Sequence, residues 1–132
     1  MKISARRTGQ AAPRLRPQVR ILVGDEIALG PGKADLLDAV HATGSISAAG
    51  RKLGMSYRRA WLLIDTMNRC FDAPLVATAA GGMHGGGAAL TAEGGKVLRQ
   101  YRAMLEEVAS VAGRHFRALK PLLREKPRRS AR

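Results

Sequence analysis

Cysteine is almost absent from this chain of 132 residues. Cys70 stands alone, so no disulfide can form within one molecule, and a reducing compartment is implied. Long apolar runs are missing as well. No stretch approaches the roughly 18 apolar residues that span a membrane, and no apolar block follows the N-terminal charges. A cytoplasmic protein with no membrane partner is expected. The three histidines, His41, His84 and His115, are too scattered for a metal site, and no Ser-His-Asp or Cys-His arrangement is legible. The glycine-rich stretch "AAGGMHGGG" lacks the G-K-[ST] that holds phosphate and Mg²⁺ in nucleotide-binding loops. It also lies between two strand-like segments rather than between a strand and a helix. No catalytic residue, metal or cofactor is therefore expected.

Acidic residues are scarce, ten against 23 Lys and Arg, and the imbalance is uneven. Residues 1–20 carry six basic residues and no acid, and residues 114–132 carry eight with only Glu125. The middle of the chain is neutral, so the net charge of +13 belongs to the two ends. Basic ends of this kind are read as solvated tails with nonspecific affinity for polyanions. Within the neutral middle, Arg51, Lys52, Arg58 and Arg59 crowd into nine residues, and that cluster is the sharper clue. The chain divides on these grounds into a flexible basic arm (1–18), one domain with a long last helix (19–120) and a basic tail (121–132).

The pattern along that domain is mainly helical with small hairpins. "VRILVGDEIAL" (19–29) reads as two short strands around Gly24-Asp25, stopped by Gly30-Pro31-Gly32. A helix is expected from Lys33 to Ala42, with Leu36, Leu37 and Val40 on one stripe. Ser45 or Ser47 can cap a short second helix, and Gly54 suits the left-handed residue beyond its end. Ser56 can cap a third helix reaching about Arg69. Pro74–Thr78 and Ala88–Leu90 read as a pair of strands, and Thr91 caps a long helix from Ala92 to about Leu119. At 1.5 Å per residue that helix spans about 40 Å, more than a domain of this size needs. Val97, Tyr101, Met104, Val108 and Val111 form its apolar stripe, so part of the stripe is expected to bury against a second copy.

Two capped helices joined by a glycine-containing turn, then a hairpin and another helix, describe a winged helix-turn-helix. On a helical wheel of the third helix, Ala60, Leu63, Ile64, Met67 and Phe71 gather on the core side. Arg58, Leu62, Asp65 and Arg69 lie opposite, with Tyr57 and Trp61 at one border and Arg59 and Thr66 at the other. The outward face suits a DNA major groove. Arg58 can pair with guanine or a phosphate, Leu62 can touch a thymine methyl, and Asp65 can accept from cytosine or exclude other bases. The helix start, behind Ser56, offers free N–H groups to a phosphate. Trp61 is balanced between plugging the core edge and touching base or sugar. Tyr57 has the same two roles open.

Gly44-Ser45-Ile46-Ser47 with Ala49, Ser56-Tyr57-Arg58, Ala60-Trp61, Ile64 and Met67-Asn68 together resemble a known family. So do Gly81-Gly82, Gly85-Gly86-Gly87-Ala88 and Leu90-Thr91. The likeness is to the DNA-binding domain of the molybdate-responsive regulators called ModE, kin to the LysR-type headpiece, and it covers residues 19–111. It implies a transcriptional regulator whose partners are double-stranded DNA and a second copy of itself. Pairing would run through the first and last helices, which adds Leu37 and Val40 to the expected dimer interface. The DNA-facing set is Ser45, Ser47, Ser56, Tyr57, Arg58, Arg59, Trp61, Leu62 and Asp65, with Gly82 and His84 at the wing. The wing has Thr78 and Met83 where relatives often carry Arg or Lys, so the basic tails are expected to substitute for it. ModE proteins also carry C-terminal oxyanion-binding domains. The expectation here is a chain without them that does not bind molybdate. A nonspecific nucleoid-type protein and an oxyanion-binding module using the Gly81–Gly87 loop are the alternative readings.

Overall fold

An antiparallel hairpin turning at Gly24-Asp25 opens the folded part of the chain. In the computed structural model, which describes residues 12–79 and 87–131, β1 (Ile21–Val23) pairs with β2 (Glu26–Leu29) around that turn. Helix α1 (Pro31–Thr43) begins two residues before the expected Lys33. Pro31 starts the helix instead of stopping the strand, because its locked φ suits the first turn and its missing N–H has no partner to lose there. Helices α2 (Ile46–Lys52) and α3 (Tyr57–Cys70) follow. Next come β3 (Val76–Thr78) and β4 (Ala88–Leu90), paired in register from Val76 opposite Leu90 to Thr78 opposite Ala88. Helix α4 (Ala92–Leu119) and a 3-10 turn (Lys120–Leu122) end the described elements. The fold is mainly helical with two separate two-stranded sheets, as the sequence pattern implies. Among the described residues no helix is long and apolar enough to cross a membrane.

The chain forms two compact units, one of them Gln18–Leu105. Its core is built from Leu29, Leu36, Leu37, Val40, Met67, Leu75 and Tyr101, all with essentially no exposed surface. Burial of each large aliphatic side chain contributes about 1.5–3 kcal/mol. This placement corrects three of the expected dimer residues. Leu37 and Val40 are 0% exposed and Tyr101 is 2% exposed within a single chain, so they have no surface to offer a partner. Val97 and Met104 are half-buried against the same core. The periodicity identified an apolar face correctly, but for these residues that face meets the chain's own core. The other unit contains the rest of α4, where Val108 is half-buried and Val111 is 47% exposed.

The backbone of Pro74, Leu75 and Val76 ties α3, β3 and the start of α4 together. The Leu75 N–H donates to Asn68 Oδ1 of α3 at 2.8 Å, and the Val76 N–H donates to the same oxygen at 3.2 Å. Asn68 Nδ2 returns a bond to the Val76 carbonyl at 3.1 Å. On the other side, the Leu75 carbonyl accepts from the Thr91 N–H at 2.9 Å and from the Thr91 hydroxyl at 3.2 Å. That hydroxyl lies 2.7 Å from the Pro74 carbonyl and accepts the Gly94 N–H at 2.9 Å, capping α4 as expected. These bonds explain why β3 begins at Val76 rather than at Pro74. The polar groups of Pro74 and Leu75 are used by side chains and by the α4 start, not by the ladder. Gly94 lies so close that a Cβ on it would sit 2.1 Å from the Leu75 carbonyl oxygen.

Three further contacts tie α4 to the entry of the first hairpin and to α1 within this unit. Tyr101, buried on α4, donates its hydroxyl to the Val19 carbonyl at 2.7 Å, holding the strand entry of the first hairpin. Arg102 bonds the carboxylates of Asp35, at 3.2 Å, and of Asp38, both on α1. Hydrogen bonds to Asp38 and then Asp35 raise the Arg102 pKa against the opposing effect of burial.

The Gly94 geometry predicts opposite outcomes for neighbouring substitutions. Gly94→Ala should lower stability by about 1–3 kcal/mol in denaturant titration, because backbone on both sides of the clash must shift. Gly95→Ala should be neutral or stabilising by up to about 1 kcal/mol, since its Cβ would meet only the flexible end of Arg99. Tyr101 makes a pH prediction. Burial is the main cause raising its pKa above the ordinary 10.0. The unfolded chain therefore ionises first as pH rises, and stability falls from about that ordinary value up to the raised one. Tyr101→Phe should cost about 1 kcal/mol near neutral pH. Its melting temperature should also decline less than that of the wild type above pH 10.0, the ordinary tyrosine value.

Candidate nucleic-acid interface

Small residues and serine caps set the geometry of α2 and α3. Ser45 Oγ accepts the Ala48 N–H at 3.0 Å and starts α2. Ser47 is not the cap; it lies inside the helix, where its hydroxyl accepts from Arg51 Nη1 at 3.0 Å. Gly54, at φ +72°, takes the left-handed turn that ends α2, and the Met55 N–H closes it by donating to the Gly50 carbonyl at 2.9 Å. Ser56 Oγ accepts the Arg59 N–H at 3.1 Å and starts α3. Gly50 and Ala60 bring the two helices into close contact. A Cβ at Gly50 would lie 3.3 Å from that of Ala60. Ser45 is half-buried and Ser56 is exposed.

The two faces of α3 divide as the wheel expects. Ala60, Ile64 and Met67 are buried, and Leu63 and Phe71 are half-buried against the core. Outward lie Arg58 and Arg59, both exposed, with Tyr57 at 56%, Trp61 at 44% and Leu62 at 43% exposure. Trp61 thus keeps much of its ring in water rather than sealing the core edge. Among the described residues no carboxylate pairs with Arg58 or Arg59. Asp65 differs from its expected role. Its carboxylate accepts from Arg69 Nε at 3.0 Å, one helical turn on, so any base contact would compete with that ion pair. The bond to Asp65 is the main cause raising the Arg69 pKa, and Glu26 of β2 adds a weaker attraction at 3.9 Å.

The wing strands are placed next to the helix-turn-helix by a backbone bond: the Ala88 N–H donates to the Gly44 carbonyl, just past the end of α1, at 2.9 Å. Within the wing, the Ala79 N–H donates to the Gly87 carbonyl at 2.9 Å. Gly82 and His84, the expected wing contacts, lie outside the described residues. Two positioning residues escaped assignment from the sequence. Asn68 was part of a recognised motif without a role, and Arg102 was simply one cation on a long helix. An amide placed at the border of an amphipathic helix, six residues before a proline, is the only signal that pointed to the first. Asp35 and Asp38, one turn apart, pointed to the second.

Comparison with known proteins gives this geometry a family. Residues 33–95 match the model of the bacterial regulatory helix-turn-helix protein, lysR family. The molybdenum-pterin-binding protein MopB of Rhodobacter capsulatus is 45% identical over 83 residues, 63% of this chain and 31% of that protein. The molybdenum transport protein ModE of Azotobacter vinelandii is 41% identical over 87 residues, 66% of this chain and 32% of its own. The DNA-binding transcriptional dual regulator ModE of Escherichia coli K12 is 39% identical over 71 residues, 54% of this chain and 27% of its own. The match thus spans about a third of the length of these relatives. It takes in the capped α2–turn–α3 unit, the wing strands and the start of α4. Residues 33–95 are therefore a LysR-family helix-turn-helix domain of the kind found in ModE-type regulators.

Proposed function

We propose that this chain is a sequence-specific, DNA-binding transcriptional regulator that enters the major groove with α3 and acts as a dimer in the cytoplasm. The observation that carries the reading is the solvent face of α3. There, among the described residues, no carboxylate pairs with Arg58 or Arg59, which stand beside exposed Tyr57, Trp61 and Leu62 on a helix whose other face is locked into the core. Unpaired guanidinium groups suit guanine edges and phosphates, and the apolar neighbours suit base methyl groups. The basic arm (1–18) and tail (121–132) add phosphate contacts that carry no sequence information. No catalytic step belongs to this function. Of the relatives' printed activities, only DNA binding and transcriptional regulation are carried over to these residues.

The dimer seam is placed on the later part of α4. Val108, Val111 and Ala112 line an open, largely apolar cleft of about 430 Å³ beside Glu107. Leu119 is 54% exposed farther along the same helix. In sedimentation equilibrium at micromolar concentration the wild type should be a dimer and Val108→Glu a monomer. A wild-type monomer would contradict the seam.

Sequence preference is tested by selecting bound duplexes from a random pool in excess competitor DNA. A defined site should emerge, and Arg58→Ala should weaken binding to it by about 1–3 kcal/mol. Deleting residues 1–17 should instead weaken all DNA alike and flatten the salt dependence. If competition erases every preference, the chain is a nonspecific DNA-binding protein and this reading fails.

A further inference from the structure

Aromatic side chains of this exposure need a reason. Tryptophan is highly buried on average and tyrosine intermediate, yet Tyr57 and Trp61 are the most exposed large apolar side chains of α3. They are four residues apart, so their rings stand one above the other on the same side of the helix. Arg58 lies between them in sequence, and among the described residues these three line a shallow, open cleft of about 310 Å³. Leu62 continues the apolar surface at 43% exposure. The cleft belongs to the first turns of α3, the part of a recognition helix that reaches base edges.

Taking α3 as the groove-entering helix, we propose that Tyr57, Arg58 and Trp61 act together as a reader of two neighbouring base pairs. Arg58 takes the O6 and N7 of a guanine, and the two rings cover the 5-methyl group of a thymine beside it. The chemistry selects this pair over the alternatives. A guanidinium has donors only, so it matches the two acceptors of guanine and repels the amino group of cytosine. The ring faces offer no strong hydrogen-bond acceptor. An amino group turned toward them would lose its water without replacement, whereas a methyl group gains by leaving water. The rings are separated by one helical turn, about 5.4 Å. Successive bases on a strand lie about 3.4 Å apart, so rings and guanidinium can meet adjacent pairs. Contact of the rings with deoxyribose is the competing arrangement, and it would ignore the methyl group.

The test uses the full chain and the duplex selected from the random pool. Each thymine is replaced in turn by deoxyuridine, which removes only the 5-methyl group, and affinity is measured at fixed salt. At one thymine per half-site the wild type should lose about fourfold, the value of one buried methyl group. Trp61→Ala should lose most of the difference between the thymine and uracil duplexes, and the double variant Tyr57→Ala, Trp61→Ala should bind the two equally. 7-Deazaguanine at the adjacent guanine should weaken the wild type about tenfold and leave Arg58→Ala unaffected. Indifference of the wild type to uracil at every thymine, with Arg58→Ala still losing preference, would overturn the reader while leaving sequence-specific binding intact. A wild type with no preferred duplex would instead overturn the DNA-recognition reading on which this proposal rests.

Discussion

Leu75 is where the recognition helix, the wing strands and the last helix are joined. Its N–H is held by Asn68 from the end of α3, and its carbonyl by Thr91 at the start of α4. The Leu75 side chain is 0% exposed, so the segment is fixed by packing as well as by polar bonds. A hydrogen bond of this kind is worth about 1 kcal/mol net, but a buried peptide left without partners costs more. The consequence is geometric. The orientation of the recognition helix, the origin of the wing strands and the first turn of α4 cannot be adjusted independently. Gly94 follows from the same constraint, because only a residue without a side chain lets α4 begin so close to that carbonyl.

The distribution of charge then separates architecture from recognition. Arg102 and Arg69 are engaged, the first by Asp35 and Asp38 and the second by Asp65 and Glu26. Arg51 donates to Ser47 along α2. Among the described residues, Arg58 and Arg59 are left without a carboxylate on the exposed face of α3. Surface ion pairs add little stability, so the arrangement matters less for its energy than for which cations remain free. Free cations beside exposed aromatic and aliphatic side chains form a surface suited to base edges. Paired cations at the helix end lower the nonspecific attraction there.

Much of this was legible in the sequence, and the limits have identifiable causes. The hairpin at Gly24-Asp25, the caps Ser56 and Thr91, the turn at Gly54 and the strand Ala88–Leu90 were all readable, because each depends on local chemistry, whereas the first cap was left open between Ser45 and Ser47. The early start of α1 was hidden by the dual behaviour of proline, which ends strands and also opens helices. The late start of β3 was hidden because the partners of Leu75 come from Asn68 and Thr91, seven and sixteen residues away. The α3 face was assigned correctly from a wheel alone. Leu37, Val40 and Tyr101 were not, since periodicity tells which side of a helix is apolar and not whose apolar surface it meets. Asp65 shows the same limit in polar form: its exposure was readable, its capture by Arg69 was not.

The central claim is that α3 docks in the major groove through Arg58, and guanine N7 methylation tests it most directly. Dimethyl sulfate reacts with N7 in the major groove, so a guanine covered by Arg58 is protected in the complex. On the selected duplex, saturated with protein, the wild type should protect one guanine in each half-site. Arg58→Ala, at a concentration that also saturates the duplex, should leave that guanine reactive while other features of the footprint persist. An unchanged protection pattern in the variant, or no protected guanine with the wild type, would contradict the account.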